Sequence, residues 1–171
     1  MAVSTFVKNF THGSLLLSDG TGTPVTLTVD CMNGDFSISG LAKILRETAK
    51  YESRGLLKSV AHTTRTYPSG SFSAMMTAFT EAIAPGTLAD FVLNQAAYSA
   101  NVSTLGASAQ VYAIDLVVTI EGTDFGDAAD HTFTLSDCRC TIDFAEGDPN
   151  QFTLNFEVLG AVTNGLIAAE S

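Results

Sequence analysis

Apolar and polar residues alternate along most of the C-terminal third of this 171-residue chain. The clearest run is "QFTLNFEVLG", where Phe152, Leu154, Phe156 and Val158 take one side, and threonine, asparagine and glutamate take the other. Successive side chains of a β-strand point to opposite faces of its sheet, so a period of two predicts strands with one buried face. The same period recurs in "PVTLTVDC" and "QVYAIDLVVTIEG". The chain is therefore predicted to be mainly β.

About seven or eight such strands with one helix predict an antiparallel β-sandwich or a partly closed barrel, with the helix packed at its side. In "TFTLSDCRCTIDF" the apolar phase changes near Ser136–Asp137, which predicts a bulge. The helix is predicted in "PGTLADFVLNQAAYSA", where Thr87 as N-cap and Asp90 three residues later resemble a capping box. No repeat or linker divides the chain, so we expect one domain over residues 1–171, with a C-terminal extension at about 160–171.

Charged residues are scarce, at 15% of the chain against 46% hydrophobic residues. About a quarter is usual for a soluble domain, so we expect other copies of the chain to cover much of the surface. No apolar run reaches the roughly 18 residues of a membrane span. The start "MAVSTFVKNFTHG" lacks a signal-peptide pattern. We therefore expect a protein that is assembled in a cytosol and does not enter a membrane.

The positive charge is concentrated in one stretch, "KILRETAKYESRGLLKSVAHTTR". It holds six of the eight lysines and arginines: Lys43, Arg46, Lys50, Arg54, Lys58 and Arg65. With two glutamates its net charge is +4, and the remaining two cations and sixteen acids give −14, for a total of −10. The spacing of Leu41, Ile44 and Leu45 favours a helix over Leu41–Lys50, with a loop as the alternative, and the pattern after Gly55 predicts a strand.

Residues that would support catalysis or metal binding do not form a recognised pattern. The histidines are His12, His62 and His131, and the cysteines are Cys31, Cys138 and Cys140. The histidines are far apart, and an odd number of cysteines without a CxxC pair argues against a zinc or disulfide framework. "GTGTP" lacks the lysine and the following helix of a phosphate loop, and there is no nucleophile elbow. We therefore expect no catalytic residue, metal or cofactor, and no enzymatic activity.

Three segments together carry a resemblance to a known family. They are "GSLLLSDGTGTPVTLTV", "ESRGLLKSVAHTTRTYPSGSFSAMM" and "DHTFTLSDCRCTIDFAEGDPNQFTLNFEVLGAV". In this order, from about residue 13 to 160, the chain resembles the tail tube (major tail) proteins of long-tailed bacteriophages. That family is related to the tube protein of type VI secretion. The helix-prone segment Leu41–Lys50 departs from the plainer loop of many relatives.

The resemblance implies a structural subunit whose hexameric rings stack into a hollow tube that conducts DNA during ejection. It implies partners as well: other copies, the tape-measure protein, and tail-terminator or baseplate proteins. The location would be the virion tail, after assembly in the host cytoplasm. An acidic wall repels phosphates, so DNA would pass without specific binding. The candidates for acids that face the lumen are Asp115, Asp143 and Glu157, on polar faces of long strands. The alternative for each of them is a position that faces solvent on the outside.

We expect the basic stretch to form a projecting arm, at about 40–68, that docks onto the adjacent ring. The predicted inter-ring contacts are its six cations together with Leu56 and Leu57. A solvated basic face on the same subunit is the alternative for this stretch. For the whole chain, one alternative is a related ring or tube protein, such as a secretion-system tube, baseplate or tail-joining protein. The other is a monomeric β-sandwich that serves as a binding or decoration module.

Overall fold

A computed structural model describes residues 13–29, 36–40, 46–65, 67–75, 87–120 and 130–163, without side-chain detail at 46–48 and 62–65. The strands are β1 Ser14–Ser18, β2 Thr26–Val29, β3 Ser37–Ser39, β4 Arg46–Ser53, β5 Leu56–Arg65, β6 Ser69–Met75, β7 Ile114–Ile120, β8 His131–Ala145, β9 Gln151–Val158 and β10 Val162–Thr163. The helix α1 covers Leu88–Val92, and a 3₁₀ turn covers Ala96–Tyr98.

Eight of these strands form one antiparallel sheet in the order β2-β1-β7-β8-β9-β6-β3, with β10 beside β8. The described strands do not close into a barrel, so the predicted mainly β sandwich with a flanking helix is confirmed in its open form. β4 and β5 pair with each other in a separate two-stranded sheet. β10 lies in the segment expected as a C-terminal extension, and its two residues pair with Thr134 and Leu135 of β8.

The 15-residue strand β8 connects the two layers of the sandwich. Its first half pairs with β7 and its second half with β9. The register shifts by one residue between the pairs Ile114–Cys138 and Leu116–Leu135, and Asp137 lies there with a φ of 56°. The predicted bulge near Ser136–Asp137 is therefore confirmed. It moves the buried positions of β8 from odd to even numbers, which turns the strand from one layer into the other.

A single apolar core lies between the two layers. Residues fully buried in it include Leu15, Leu17, Phe72, Leu116, Val118, Leu135, Leu154 and Val158. The ring of Phe36 lies 6.4 Å from that of Phe72 and 6.0 Å from that of Phe156, both in the β3-β6-β9 layer. It also lies 6.3 Å from the ring of Phe133, in the first half of β8. Phe36 thus contacts both layers.

The helix begins as the sequence predicts. The Thr87 side chain accepts from the backbone N–H of Asp90, and the Asp90 carboxylate accepts from the backbone N–H of Thr87, so the capping box is complete. Its buried residues are Leu88, Phe91 and Val92. The helix ends at Val92, so it is shorter than the predicted segment, and Gln95 and Ala96 beyond it are exposed. No helix within the described ranges is long and apolar enough to span a membrane.

The helix predicted over Leu41–Lys50 is wrong for residues 46–50, which belong to strand β4; residues 41–45 lie outside the described residues. β4 and β5 are joined by a tight turn whose two central residues, Arg54 and Gly55, have φ angles of 52° and 79°. Two positive φ angles define the type I′ turn that suits the twist of a hairpin. The turn places β4 directly against β5, and this cross-strand pairing outweighs the local helical spacing.

Gly70 provides a test of the close packing between β3 and β6. A Cβ at this position would overlap the backbone oxygen of Ser37 and the ring of Phe156. We therefore expect Gly70→Ala to lower the free energy of unfolding by about 1–3 kcal/mol, measured by chemical denaturation. Gly22→Ala is the control, because a Cβ there meets nothing within 4 Å, and it should change stability by no more than about 0.5 kcal/mol. Equal stability of the two variants would contradict the packing described.

Candidate functional site

One face of the β3-β6-β9-β8 layer is mostly polar, and Met75, Ala145 and Gln151 lie on it at one end of the strands. Paired residues of adjacent strands share a face, so the registers group the outward-facing side chains of the rest of this face. They are Ser37, Ser39, Ser69, Ser71, Ser73, Arg139, Thr141, Asp143, Thr153, Asn155 and Glu157, called here the polar face. All are exposed or half-buried, while the residues between them point into the core. The layer thus presents a continuous four-stranded polar surface.

The polar face is rich in hydroxyl groups and weakly acidic. The Ser37 and Ser71 hydroxyls lie 3.3 Å apart, and the Ser39 hydroxyl donates to the backbone oxygen of Ser69 at 3.2 Å. At the other side of the face, the Asn155 amide donates to the Asp143 carboxylate at 3.2 Å. Two acids and one arginine give the eleven-residue face a net charge of −1. Its chemistry is that of a hydrated surface with little attraction for anions.

The layer that carries the polar face has two open edges. β3 is the last strand of the sheet order, so its outer side has no strand partner among the described residues. β8 pairs with β7 only through His131–Cys138, so the side of residues 139–145 that faces away from β9 is also without a strand in the described ranges. Unpaired strand edges are templates for pairing with another chain. One open edge at each end allows head-to-tail addition of further copies.

The β4–β5 hairpin is the second exposed feature. Every residue from Lys50 to Ala61 is exposed. Its large apolar side chains are among the most exposed in the described structure: Tyr51 at 55%, Leu56 at 67%, Leu57 at 56% and Val60 at 53%. An isolated two-stranded hairpin has marginal stability in water. Exposed apolar side chains on such a hairpin indicate a surface that another molecule covers.

The structure distributes the predicted site residues over three places. Asp143 and Glu157 lie on the polar face. The exposed hairpin holds Lys50, Arg54, Leu56, Leu57 and Lys58, and the backbones of Arg46 and Arg65 pair at its base. Lys43 lies outside the described residues. Asp115 lies on β7, apart from the other two predicted lumen acids.

Asp115 has a structural environment. The backbone N–H of Asp137 donates to its carboxylate at 2.9 Å, which ties β7 to the bulge of β8. Burial raises the pKa of Asp115; the hydrogen bond from Asp137 offsets part of this rise, and the nearby Asp137 charge adds to it. The carboxylate thus secures the backbone at the point where β8 changes layers.

The cysteines of the described residues are held as protonated thiols. Cys138 and Cys140 are free thiols, and burial raises the pKa of Cys140 to about 12 and also raises that of Cys138. Thiols held protonated in this way are poor nucleophiles and poor metal ligands. Within the part of the chain that the structure describes, no group of three or more His, Cys, Asp or Glu side chains could hold a metal ion.

Sequence reasoning missed two parts of this arrangement. The serines of β3 and β6 alternate with core residues in "SIS" and "SGSFSA", a signal that could have revealed the polar face. Tyr51 and Val60 were not assigned a role, although they belong to the same exposed hairpin as Leu56 and Leu57. Their positions on the hairpin depend on the turn at Arg54 and Gly55. A helix over Leu41–Lys50 is not compatible with a hairpin that begins at Arg46, so that prediction did not lead to this turn.

Comparison with known proteins shows similarity in fold to solved structures. No protein-family model and no curated protein matches the chain. The tube-terminating cap of the anti-feeding prophage is similar with a TM-score of 0.52 at 14% identity, over 96% of this chain and 95% of that one. A sheath/tube terminator of the extracellular contractile injection system PVC scores 0.47 at 14% identity, over 87% and 91%. A baseplate chain of the anti-feeding prophage scores 0.46 at 14%, over 98% and 100%.

The role of Asp115 can be tested through its carboxylate. Asp115→Asn keeps an oxygen that accepts from the Asp137 N–H, whereas Asp115→Ala removes it and should cost about 1 kcal/mol of unfolding free energy. Because burial raises the pKa of Asp115 in the folded state, the unfolded state loses its proton first as pH rises. The stability of the wild type relative to Asp115→Asn should therefore fall from about pH 4 upward, until the folded carboxyl has ionised.

Thermal or urea unfolding across pH 3–8 would measure the difference in unfolding free energy between the wild type and Asp115→Asn. The decrease should begin at about pH 4. Asp143→Asn is the control, because it removes one negative charge at an exposed position of the polar face, as Asp115→Asn removes one at a half-buried position. A wild type that gains stability over Asp115→Asn as pH rises would contradict the burial described for this carboxylate.

Proposed function

We propose that the chain is a structural, non-enzymatic subunit of a bacteriophage-type tail tube, in which rings of copies stack around a bore that conducts DNA. The observation that carries the proposal is the four-stranded layer with a polar face and two edges that lack a strand partner within the described residues. The fold likeness to a tube-terminating cap supports it. So does the resemblance of the sequence to tail tube proteins, which implies hexameric rings, a tape-measure partner, terminator or baseplate partners, and a place in the virion tail.

Ring closure would proceed by sheet extension. The outer side of β3 in one copy would pair with residues 139–145 of β8 in the next, so that the polar faces of all copies join into one inner wall. Backbone hydrogen bonds across such a joint are independent of side-chain identity, and they satisfy edge groups that are otherwise left to water. A head-to-tail contact of this kind generates a closed ring when the rotation from each copy to the next adds up to a full turn.

The polar face would then line the bore. Its hydroxyl groups offer hydrogen bonds to water, and its acids repel phosphate, so DNA would pass without adhering. Asp143 and Glu157 remain the proposed lumen acids, and Asp115 lies apart from them because it secures the β8 bulge. Glu157 stands opposite Arg139 in the register, which keeps the one arginine of the face beside an acid.

The β4–β5 hairpin would be the inter-ring arm at about 40–68. Its cations would meet the acidic surface of the next ring, each pair contributing at most about 1 kcal/mol at an exposed site. Burial of Leu56 and Leu57 would supply more, at roughly 25 cal/mol per Å² removed from water. The charges of Lys43, Arg46, Lys50, Arg54, Lys58 and Arg65 would then chiefly set register and orientation.

A ring that ends a tube is a second candidate function. It is favoured by one observation, namely that the solved structure with a TM-score of 0.52 is a tube-terminating cap. A cap or baseplate ring would use the same polar face and the same edges, but it would present only one stacking surface. A monomeric binding or decoration module remains the alternative from another class.

Electron microscopy of the purified protein separates these functions. We expect long tubes or stacked rings with an open centre, because both edges and the hairpin are available in each copy. Isolated rings that bind only the end of a tube would favour the terminating role. Monomers at every concentration tested would contradict both ring functions.

The arm can be tested by charge reversal. In Lys50→Glu/Arg54→Glu/Lys58→Glu we expect folded subunits that form monomers or rings but no long tubes, since acids would then face acids across the stacking interface. The matched control is the same triple change to glutamine, which should retain some stacking through Leu56 and Leu57. Circular dichroism checks the fold, and electron microscopy measures tube length. Normal tubes from the glutamate variant would show that the hairpin is a solvated face.

A further inference from the structure

The two faces of the β4–β5 hairpin have different compositions. Alternation and the register place Ala49, Tyr51, Ser53, Leu56, Ser59 and Ala61 on one side, called here the neutral side. Lys50, Glu52, Leu57 and Val60 lie on the opposite side, called here the charged side. Lys58 is the extra residue of a bulge, since Glu52 pairs with Leu57 and Tyr51 with Ser59.

Each side exposes two large apolar side chains. Tyr51 and Leu56 are 55% and 67% exposed on the neutral side, and Leu57 and Val60 are 56% and 53% exposed on the charged side. A hairpin that lies flat on one partner would bury one side and leave the other in water. The bulge at Lys58 shifts the alternation of β5, so that Val60 lies on the same side as Leu57 and not on the side of Leu56.

We infer that the hairpin is inserted between two other copies of the same chain, with one copy covering each side. This inference rests on the proposed function and specifies how the arm binds. Charge indicates which molecule covers the hairpin. Residues 46–65 carry five cations and two glutamates, whereas Arg139 is the one cation among the other described residues. Those other residues include nine acids: Asp19, Asp90, Asp115, Asp130, Asp137, Asp143, Glu146, Asp148 and Glu157. A second copy therefore offers the complementary charge.

Insertion between two copies has a mechanical consequence. Each arm would contact two subunits at once, so stacking one ring on another would also hold neighbouring subunits of a ring together. The neutral side, with alanines and serines around Tyr51 and Leu56, permits close approach without burying a charge. The charged side would place Lys50 and Glu52 beside Leu57 and Val60, where the charges orient the contact.

Two matched variants test the inference. Tyr51→Thr/Leu56→Thr alters only the neutral side, and Leu57→Thr/Val60→Thr alters only the charged side. Threonine keeps strand propensity, and neither variant changes the net charge. Leu93→Thr/Leu105→Thr is the control, because Leu93 and Leu105 are 55% and 44% exposed outside the hairpin. The readout is the protein concentration at which tubes form, measured by sedimentation.

We expect each hairpin variant to raise this concentration by about tenfold or more, and the control by less than about twofold. A photo-crosslinker at Tyr51 and another at Val60 should attach to different segments of neighbouring subunits. If one hairpin variant assembles like the wild type, or if both crosslinkers attach to the same segment, the inference is overturned while the tube function stands.

A wild type that never assembles overturns the inference together with the proposed function. A membrane is a different occupant for a basic and apolar hairpin, and sedimentation with phosphatidylglycerol vesicles tests it. Vesicle binding that both hairpin variants abolish, without crosslinks between subunits, would also overturn the insertion between copies.

Discussion

The bulge at Asp137 is the constraint on which the arrangement of the layers depends. One extra residue in β8 shifts its buried positions, so the same strand completes the β1–β7 layer with one half and the β9–β6 layer with the other. The Asp115 carboxylate accepts from the Asp137 N–H and secures this point from β7. A regular β8 would direct the wrong side of its second half toward the core, and the polar face would lose its continuity.

The division between core and polar face follows from that geometry. Phe72, Leu154 and Phe156 are buried on one side of the layer, while serines, threonines and few charges occupy the other. Because the outer side of β3 and residues 139–145 of β8 have no strand partner in the described structure, the layer ends in backbone groups that a further copy can satisfy. The scarcity of charge, at 15% of the chain, agrees with surfaces that are covered on assembly.

Much of this architecture was predictable from local patterns. The alternation in "QFTLNFEVLG" specifies β9, the phase change at Ser136–Asp137 specifies the bulge, and the pair Thr87 and Asp90 specifies the helix start. These signals suffice because each depends on neighbours in the sequence. The strand at Arg46–Lys50 was not predictable in the same way, since its conformation is set by pairing with β5 across the turn at Arg54. The hydrogen bond to Asp115 was not predictable either, because its donor, the Asp137 N–H, is distant in sequence.

The central claim is that the polar face becomes the inner wall of a ring through pairing of its two open edges. A cryo-electron microscopy map of the assembled particle tests it most directly. The account predicts that residues 36–40 of one subunit form backbone hydrogen bonds with residues 139–145 of the next, with Asp143 and Glu157 facing a net-negative bore. A ring whose subunits meet through side chains alone, or whose inner wall is neutral or positive, would contradict it.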